Sequence, residues 1–431
     1  MQNPIALAKK VIKKGYDVAM RSIAFYPVFI SFTLFCFAFF TLSFEDFDLV
    51  SNMKGDYPYL FIDDTDTART ILSTLIAGIL SLTVFSFTMV MVVLNQASSN
   101  FSPRLLPGLV SNKRHQLILG CYIGTLLYCT IVLISLGAYE LEDSTVGLST
   151  TIAAIFGVCC VGLFVSFIHN ISSAVQIQNI VEGIYKRTDT KLDGLLDREL
   201  RRKTPLQHLR TDDFTVIASE ESGYFQGFDI DLVDSKLFDA DLQLIVIPYS
   251  SQHILKDSPL LKTSRKLTKE EEGALCFACT VSKDLHDGHH PLLGLIKLME
   301  VAVRAMSPGI NDPGTALDVV HKLGPLLHKM VRLPTYTSIN ANQKGIVVTT
   351  TNISTSELLS TILQPIRLYA KNNTTLMIGL IRILDYLNAM GSIYNADKKA
   401  IAKEREAIRS DVDSCITNKK DKEEILRFLG A

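Results

Sequence analysis

The sequence contains no tryptophan, so any aromatic belt at a membrane interface must be built from its 14 Tyr and 22 Phe. It also lacks a charge excess. Lys plus Arg number 43 and Asp plus Glu 44, so the formal charge is −1 and bulk electrostatics gives no pointer to nucleic acid. There is no nucleophile elbow, phosphate-cradling loop, kinase set or dinucleotide fingerprint. That argues against an enzyme and implies no cofactor. The eight cysteines show no disulfide framework. Cys36, Cys121, Cys129, Cys159 and Cys160 sit inside apolar runs, where a thiol behaves as a small hydrophobe. Cys276, Cys279 and Cys415 lie elsewhere.

What the chain has is long uncharged stretches. Mean hydropathy is +0.24 although 20% of residues are charged. The average hides a split between a greasy first part and an ordinary soluble remainder. Ile23–Leu42, Ile71–Leu94, Leu117–Tyr139 and Val146–Ile168 contain no charge. Each has about the 20 residues that cross a hydrocarbon core. In lipid the backbone must bond within its own segment, so all four are expected to be helices. The first is too long for a signal-peptide core and lacks a small-residue cleavage site, so it reads as a retained anchor.

Flanking charge sets the expected orientation. Lys9, Lys10, Lys13, Lys14 and Arg21 precede the first run. Arg104, Lys113 and Arg114 lie between the second and third, and Lys186, Arg187 and Lys191 follow the fourth. The other two loops are acidic, with Glu45, Asp46, Asp48, Asp56, Asp63, Asp64 and Asp66 in one and Glu140, Glu142 and Asp143 in the other. Lys and Arg mark the cytoplasmic side, which predicts a multi-pass inner-membrane protein with both termini inside. Residues 4–20 read either as an amphipathic helix, with Ile5, Ile12 and Tyr16 toward the bilayer, or as a basic tail.

The expected fold is a membrane α domain of four transmembrane helices plus a cytoplasmic α+β domain with a small β-rich subdomain. The expected divisions are a basic segment at 1–21, the four-helix domain at 22–172, a helical connector at 173–205, a β-rich subdomain at 206–268 and a mostly helical subdomain at 269–431. No proline interrupts Ile168–Leu196, so the fourth helix is expected to continue beyond the membrane. Phe214–Ser219, Tyr224–Ile230, Leu242–Ser250, His253–Lys262 and Gly345–Thr351 read as strands. Leu292, Leu295, Ile296, Met299 and Val303 recur at helical spacing, up to Ser307-Pro308-Gly309. A second helix begins at Asp312-Pro313, with Asp as N-cap and Pro at the first helical position. Ser354–Tyr369, Thr374–Ala389 and the charged Asp397–Phe428 are further helices.

Two stretches carry a family resemblance. One comprises Ala68-Arg69, Leu72-Ser73-Thr74, Ala97 to Leu106 with Ser102-Pro103-Arg104, Gln116 to Gly120, Gly124-Thr125 and Tyr128. The other is Arg304-Ala305-Met306-Ser307-Pro308-Gly309-Ile310-Asn311-Asp312-Pro313 with Thr315-Ala316. Weaker echoes stand at Ser222-Gly223-Tyr224 and at Gln364, Arg367 and Tyr369. Together they resemble a bacterial family of predicted inner-membrane proteins, domain of unknown function twenty-two fifty-four. The resemblance implies a bacterial origin, four spans and a cytoplasmic domain, and it hands over no catalytic residue.

The second run is the most informative. Thr74, Ser81, Thr88 and Asn95 recur every seven residues. Seven steps of about 100° fall ~20° short of two turns, so the four lie within about 60° of one helical face. Ser73, Ser86, Gln96 and Ser99 are expected to widen that polar surface. Such a stripe meets either water, as the pore lining of a homo-oligomer, or another helix. Asp63, Asp64 and Asp66 stand at its entrance. Around a symmetry axis they would make an acidic mouth that concentrates cations, and otherwise they are a solvated loop. Gln96, Ser99 and Arg104 mark the expected cytoplasmic exit, as a gate, a packed turn or an ordinary helix end. His169 and Asn170 read as a proton relay or as interfacial side chains.

In the soluble part, Cys276 and Cys279 with His286, His289 and His290 have zinc-ligand types. Leu275–Val281 reads as a strand, however, where residues three apart point to opposite faces. The site is therefore expected to hold no structural metal, with the three histidines as weak ligands. Ser307, Pro308, Gly309, Asn311 and Asp312 form either an anion-binding loop or a rigid helix–helix corner. The leading function is an oligomeric ion channel or pore for cations, held in the lipid bilayer, with a cytoplasmic assembly or gating domain. The alternative is a membrane-anchored regulatory or scaffold protein whose cytoplasmic domain binds a partner or small ligand.

Overall fold

The computed structural model describes residues 22, 24–45, 47, 50, 61–62, 64–100, 113–138, 147–174, 176–200, 213–233, 242–285, 290–341, 346–389 and 395–430. They fall into two compact units, one ending at Gln176 and one beginning at Ile177.

The first unit consists of helices α1 (Phe25–Phe44), α2 (Thr65–Asn100), α3 (Lys113–Ala138) and α4 (Gly147–Ala174). All four are long and apolar enough to cross a membrane. The third helix packs against each of the other three. It meets α1 through Gly120 and Gly124, one turn apart. A Cβ at Gly120 would sit 3.0 Å from the Pro27 backbone, and one at Gly124 would sit 2.6 Å from Leu34 Cδ1. Small residues at this spacing let two backbones close on one another. Tyr122, Tyr128, Cys129 and Val132 are fully buried along the same helix.

Three helices are tied at one polar cluster. The Tyr128 hydroxyl lies 2.9 Å from Thr41 Oγ1 and donates to the Ser149 carbonyl at 3.2 Å. The Glu45 carboxylate, only 9% exposed, accepts from the Ser149 N–H at 2.7 Å and the Leu148 N–H at 3.4 Å. These are free N–H groups of the first turn of α4, so Glu45 caps a helix distant in sequence. The sequence places Glu45 among loop acids, and its partner is visible only in three dimensions.

The fourth helix does not continue unbroken. It ends at Ala174, Gln176 is non-helical, and α5 (Ile177–Leu200) begins anew. The remainder of the second unit holds β1 (Thr215–Ala218), β2 (Gly223–Phe228), β3 (Gln243–Val246), β4 (His253–Ile254), β5 (Pro259–Thr263), α6 (Lys269–Ala278), β6 (Cys279–Ser282), α7 (Leu292–Ala305), α8 (Pro313–Val331), β7 (Tyr336–Ala341), β8 (Ile346–Thr351), α9 (Thr355–Ala370), α10 (Thr374–Ala389), α11 (Asn395–Cys415) and α12 (Lys419–Phe428). One sheet runs β1-β5-β3-β8-β7, with β3 and β8 parallel and the other neighbours antiparallel. A second runs β4-β2-β6. The strand β8 thus completes a sheet begun about a hundred residues earlier, which joins the β-rich stretch to the helical one. The charged C-terminal region is two helices, with Asn418 capping the second through bonds to Lys420 N and Asp421 N.

The expected strand at Leu275–Val281 is corrected. Residues 269–278 are helical and only Cys279–Ser282 is extended. A capping box at Thr268 and Glu271 starts the helix and overrides the local apolar run. Glu271 is also held by Arg265 at 2.6 Å. That bond, chiefly, and the Thr268 N–H lower its pKa from 4.5 to about 2. A depressed carboxylate adds stability above its unfolded pKa and loses it as pH falls through the folded one. Stability of α6 is therefore expected to fall between pH 4.5 and about 2 by on the order of 1–2 kcal/mol, allowing for solvent screening of Arg265. Amide exchange of residues 269–278 measures this, and Glu271→Gln should lose that pH dependence.

Arg367 is 9% exposed and bonds Glu404 at 3.1 Å and also Asp411, pinning α11 to α9. Arg367→Ala leaves two carboxylates without their cation and is expected to cost about 3–5 kcal/mol. Chemical denaturation followed by the protease resistance of α11 checks it.

Candidate functional site

The second helix presents two heptad-spaced surfaces. Leu72, Ile79 and Ser86 are buried and face the bundle. The opposite surface carries Thr74, Ser81, Thr88 and Asn95, all exposed in the protomer. Thr70, Ala77, Val84 and Met91 alternate with them and are exposed too. Residues 72 and 74 stand about 200° apart on a helix, so a surface that packs inward at one leaves the other outside. Among the described residues, no other helix of the unit covers the stripe.

The stripe hydroxyls bond their own backbone. Thr74 donates to Thr70 O at 2.8 Å, Ser81 to Ala77 O at 2.9 Å and Thr88 to Val84 O at 2.9 Å. Such back-bonding satisfies a Ser or Thr donor without water. A bond of that kind at Asn95 would leave the amide with a second N–H and its carbonyl oxygen still to pair. Ser73 and Gln96 are exposed, as expected for members of the wider polar surface. Ser86 is not one of them. It is 4% exposed on the bundle side, close to the Tyr122 hydroxyl, and among the described residues neither hydroxyl meets hydrogen-bond geometry.

At the start of the helix Asp64 is an N-cap. Its carboxylate accepts from the Thr67 N–H at 2.7 Å and from the Thr67 hydroxyl, and these bonds lower its pKa. Asp66 faces Arg69 at 3.8 Å and is otherwise exposed. Asp63 and Arg104 lie outside the described residues, as does the side chain of Ser99. Asn170 accepts from Arg114 at 3.4 Å, linking α3 and α4, and His169 is exposed.

In the second unit, Ser307 to Asp312 joins α7 to α8 in a compact corner. Asn311 N donates to Ser307 O at 2.9 Å and Asp312 N to Ala305 O at 2.7 Å. Asn311 adopts φ 47°, and the Asp312 carboxylate accepts from Thr315 N at 3.0 Å. The first turn of α8 is thereby occupied by its own cap, and Pro308 and Gly309 are exposed. His286 and His289 lie outside the described residues. His290 accepts at Nδ1 from Leu292 N at 3.3 Å. Cys276 lies on a helix and Cys279 in a strand, and no group of three metal-ligating side chains exists among the described residues.

The motifs at α2, α3 and this corner all fall within residues 20–386, which match the family model described as predicted membrane protein, DUF2254. The chain belongs to this family. It is similar to an uncharacterized protein of Mycobacterium tuberculosis strain H37Rv and to one of Mycobacterium bovis, each 24% identical over 267 residues, covering 59% of this chain and 51% of the relative. The chain thus spans about half the length of the curated relatives it matches. No solved structure matches it.

Asp64→Ala is expected to lower the unfolding temperature measurably through loss of the cap. Asp66→Ala, whose ion pair is exposed, should change stability by less than about 0.5 kcal/mol. Thermal unfolding of the detergent-solubilised protein separates the two.

Proposed function

We propose that this membrane protein assembles as a homo-oligomer around α2 and conducts ions, with cations preferred. The observation that carries this reading is the uncovered outer surface of α2, where Thr74, Ser81, Thr88 and Asn95 repeat every seven residues. A lipid-facing helix gains nothing from such a stripe, and an uncompensated Asn amide in hydrocarbon is costly. A second copy of α2 relieves both costs, because Thr70 and Ala77 let helices approach and Asn95 can bond its equivalent. Around a closed axis the stripe lines a narrow polar path. Asp66, exposed at its entrance, and Asp63, three residues before it in the sequence, give the mouth its negative charge. In this reading Gln96, Ser99 and Arg104 form the exit, and both termini and the soluble unit lie on the cytoplasmic side of the bacterial inner membrane, as the basic flanks require.

A second reading rests on the self-bonded hydroxyls. Since Thr74, Ser81 and Thr88 need no water, α2 can pack dry in an oligomer that anchors a regulatory or scaffold unit.

Two measurements decide. In a background with the exposed Cys36 and Cys159 replaced by serine, Ser81→Cys is expected to form a dimer under mild oxidation, whereas Ser86→Cys is not. In planar bilayers the protein should pass cations, and Asp63→Asn with Asp66→Asn should lower cation conductance several-fold at low salt. Cross-linking without conductance supports the scaffold, and failure of Ser81→Cys to cross-link rejects the α2 axis altogether.

A further inference from the structure

The fifth helix treats its two flanks differently. On one flank Glu182, Asp189 and Asp193 meet lysines of α8. Lys322 reaches Glu182 at 3.2 Å, and Lys329 reaches Asp189 and Asp193 at 2.6 Å each. Every charge there has an opposite partner. The other flank carries Arg187 and Lys191, one turn apart, and packs toward α7. Contact with α7 is close at its centre, where a Cβ on Gly294 would lie 1.8 Å from Thr188 Oγ1. His290 and Lys297 bracket Gly294 at four residues before and three after, hence on the same face of α7. Two pairs of basic side chains therefore converge on one helix crossing.

Neither Arg187 nor Lys297 makes an ion pair among the described residues. The Arg187 Nε–H donates to its own helix at Gly183 O, 3.0 Å away, which leaves the two terminal nitrogens of the guanidinium. His290 uses Nδ1 as an acceptor, so its ring proton sits on Nε2 and points away from the backbone as a donor. Burial, and next Lys191, push its pKa to about 4, so it is neutral near pH 7. Burial, then Arg187 and Lys191, lower the Lys297 pKa, against the weaker opposing pull of Glu300 and Asp284. Arg187 and Lys297, brought together at a half-buried crossing, repel one another, and an anion between them reverses the sign.

We propose that Arg187, Lys191, His290 and Lys297 form an anion site on the second unit that takes a phosphate-bearing ligand. The guanidinium supplies a planar pair of donors, the lysines point charges and the imidazole a neutral donor, a set that matches the oxygens of a phosphate group. The shared chemistry is the phosphate, carried either by a soluble molecule or by a lipid headgroup. The proposal stands apart from conduction by α2 and holds whichever reading of that helix is correct.

The test measures acylation of Lys297 by an amine-reactive acetyl ester in the full-length protein, read by mass spectrometry. One arm adds inorganic pyrophosphate to protein in a neutral detergent. The other compares nanodiscs of phosphatidylcholine with nanodiscs containing phosphatidylglycerol. Protection of about tenfold, the signature of an occupied site worth about 1.4 kcal/mol or more, is expected in at least one arm. Protection by pyrophosphate assigns a soluble ligand, and protection only in phosphatidylglycerol discs assigns a headgroup. Arg187→Gln with Lys191→Gln should abolish the protection while Lys186→Gln on the same helix retains it. No protection in either arm overturns the proposal, as does protection that survives the double substitution.

Discussion

The apolar unit depends on how closely α3 approaches α1 at Gly120 and Gly124. With no side chain at those two positions, the backbones meet, and the larger residues of α3 are turned toward α2 and α4. Tyr122 and Tyr128 then fill the interior, and Tyr128 reaches Thr41 on one side and the Ser149 carbonyl on the other. Because α3 serves as the common partner of three helices, α2 spends only one surface on the bundle. Its second surface, no less regular in spacing, is left outside. The functional reading of α2 is thus a consequence of glycines on a different helix.

The same kind of asymmetry organises the second unit. There α5 is held by complementary charge on one flank and by a glycine contact on the other. Where Lys322 and Lys329 meet acids, the pairs are partly exposed and individually weak, but they fix the rotation of α5 about its axis. Once that rotation is set, Arg187 and Lys191 have no choice but to lie beside α7. A helix oriented by the ion pairs on one side carries its like charges together on the other.

Much of the apolar unit is legible because it is written in single-segment features. Absence of charge over four runs gives the helices, and a seven-residue period gives the polar stripe. The tertiary links are not legible. Glu45 looks like any loop acid until α1 and α4 are brought side by side. Ser86 looks like a member of the stripe until its place on the bundle side is fixed by Leu72 and Ile79, seven-residue neighbours of its own. In the second unit, the helix–helix corner is readable from Asp312-Pro313, since cap and proline act locally. The pairing of β3 with β8 is not, since parallel neighbours distant in sequence leave no local mark. The error at Leu275–Val281 is of another kind. The capping box stands in the sequence at Thr268 and Glu271, and the apolar run after it masks the signal that starts the helix.

The self-bonded hydroxyls sharpen what the α2 surface demands. Thr74, Ser81 and Thr88 each return their proton to the helix, so they contribute small size and an exposed lone pair rather than an unmet donor. In lipid they cost little, against another helix they pack well, and in a pore they offer oxygen to a cation. Their chemistry alone is indifferent among the three. Regularity and Asn95 are what separate them. A lipid-facing surface has no reason to keep a seven-residue period through three repeats, nearly six turns, since lipid has no register, whereas a copy of the same helix does. Asn95 closes that period with an amide whose two donors and one acceptor one backbone bond would not satisfy in full. The spacing along α2 therefore favours the proposed assembly, since a second copy of the chain is the partner whose spacing is certain to match.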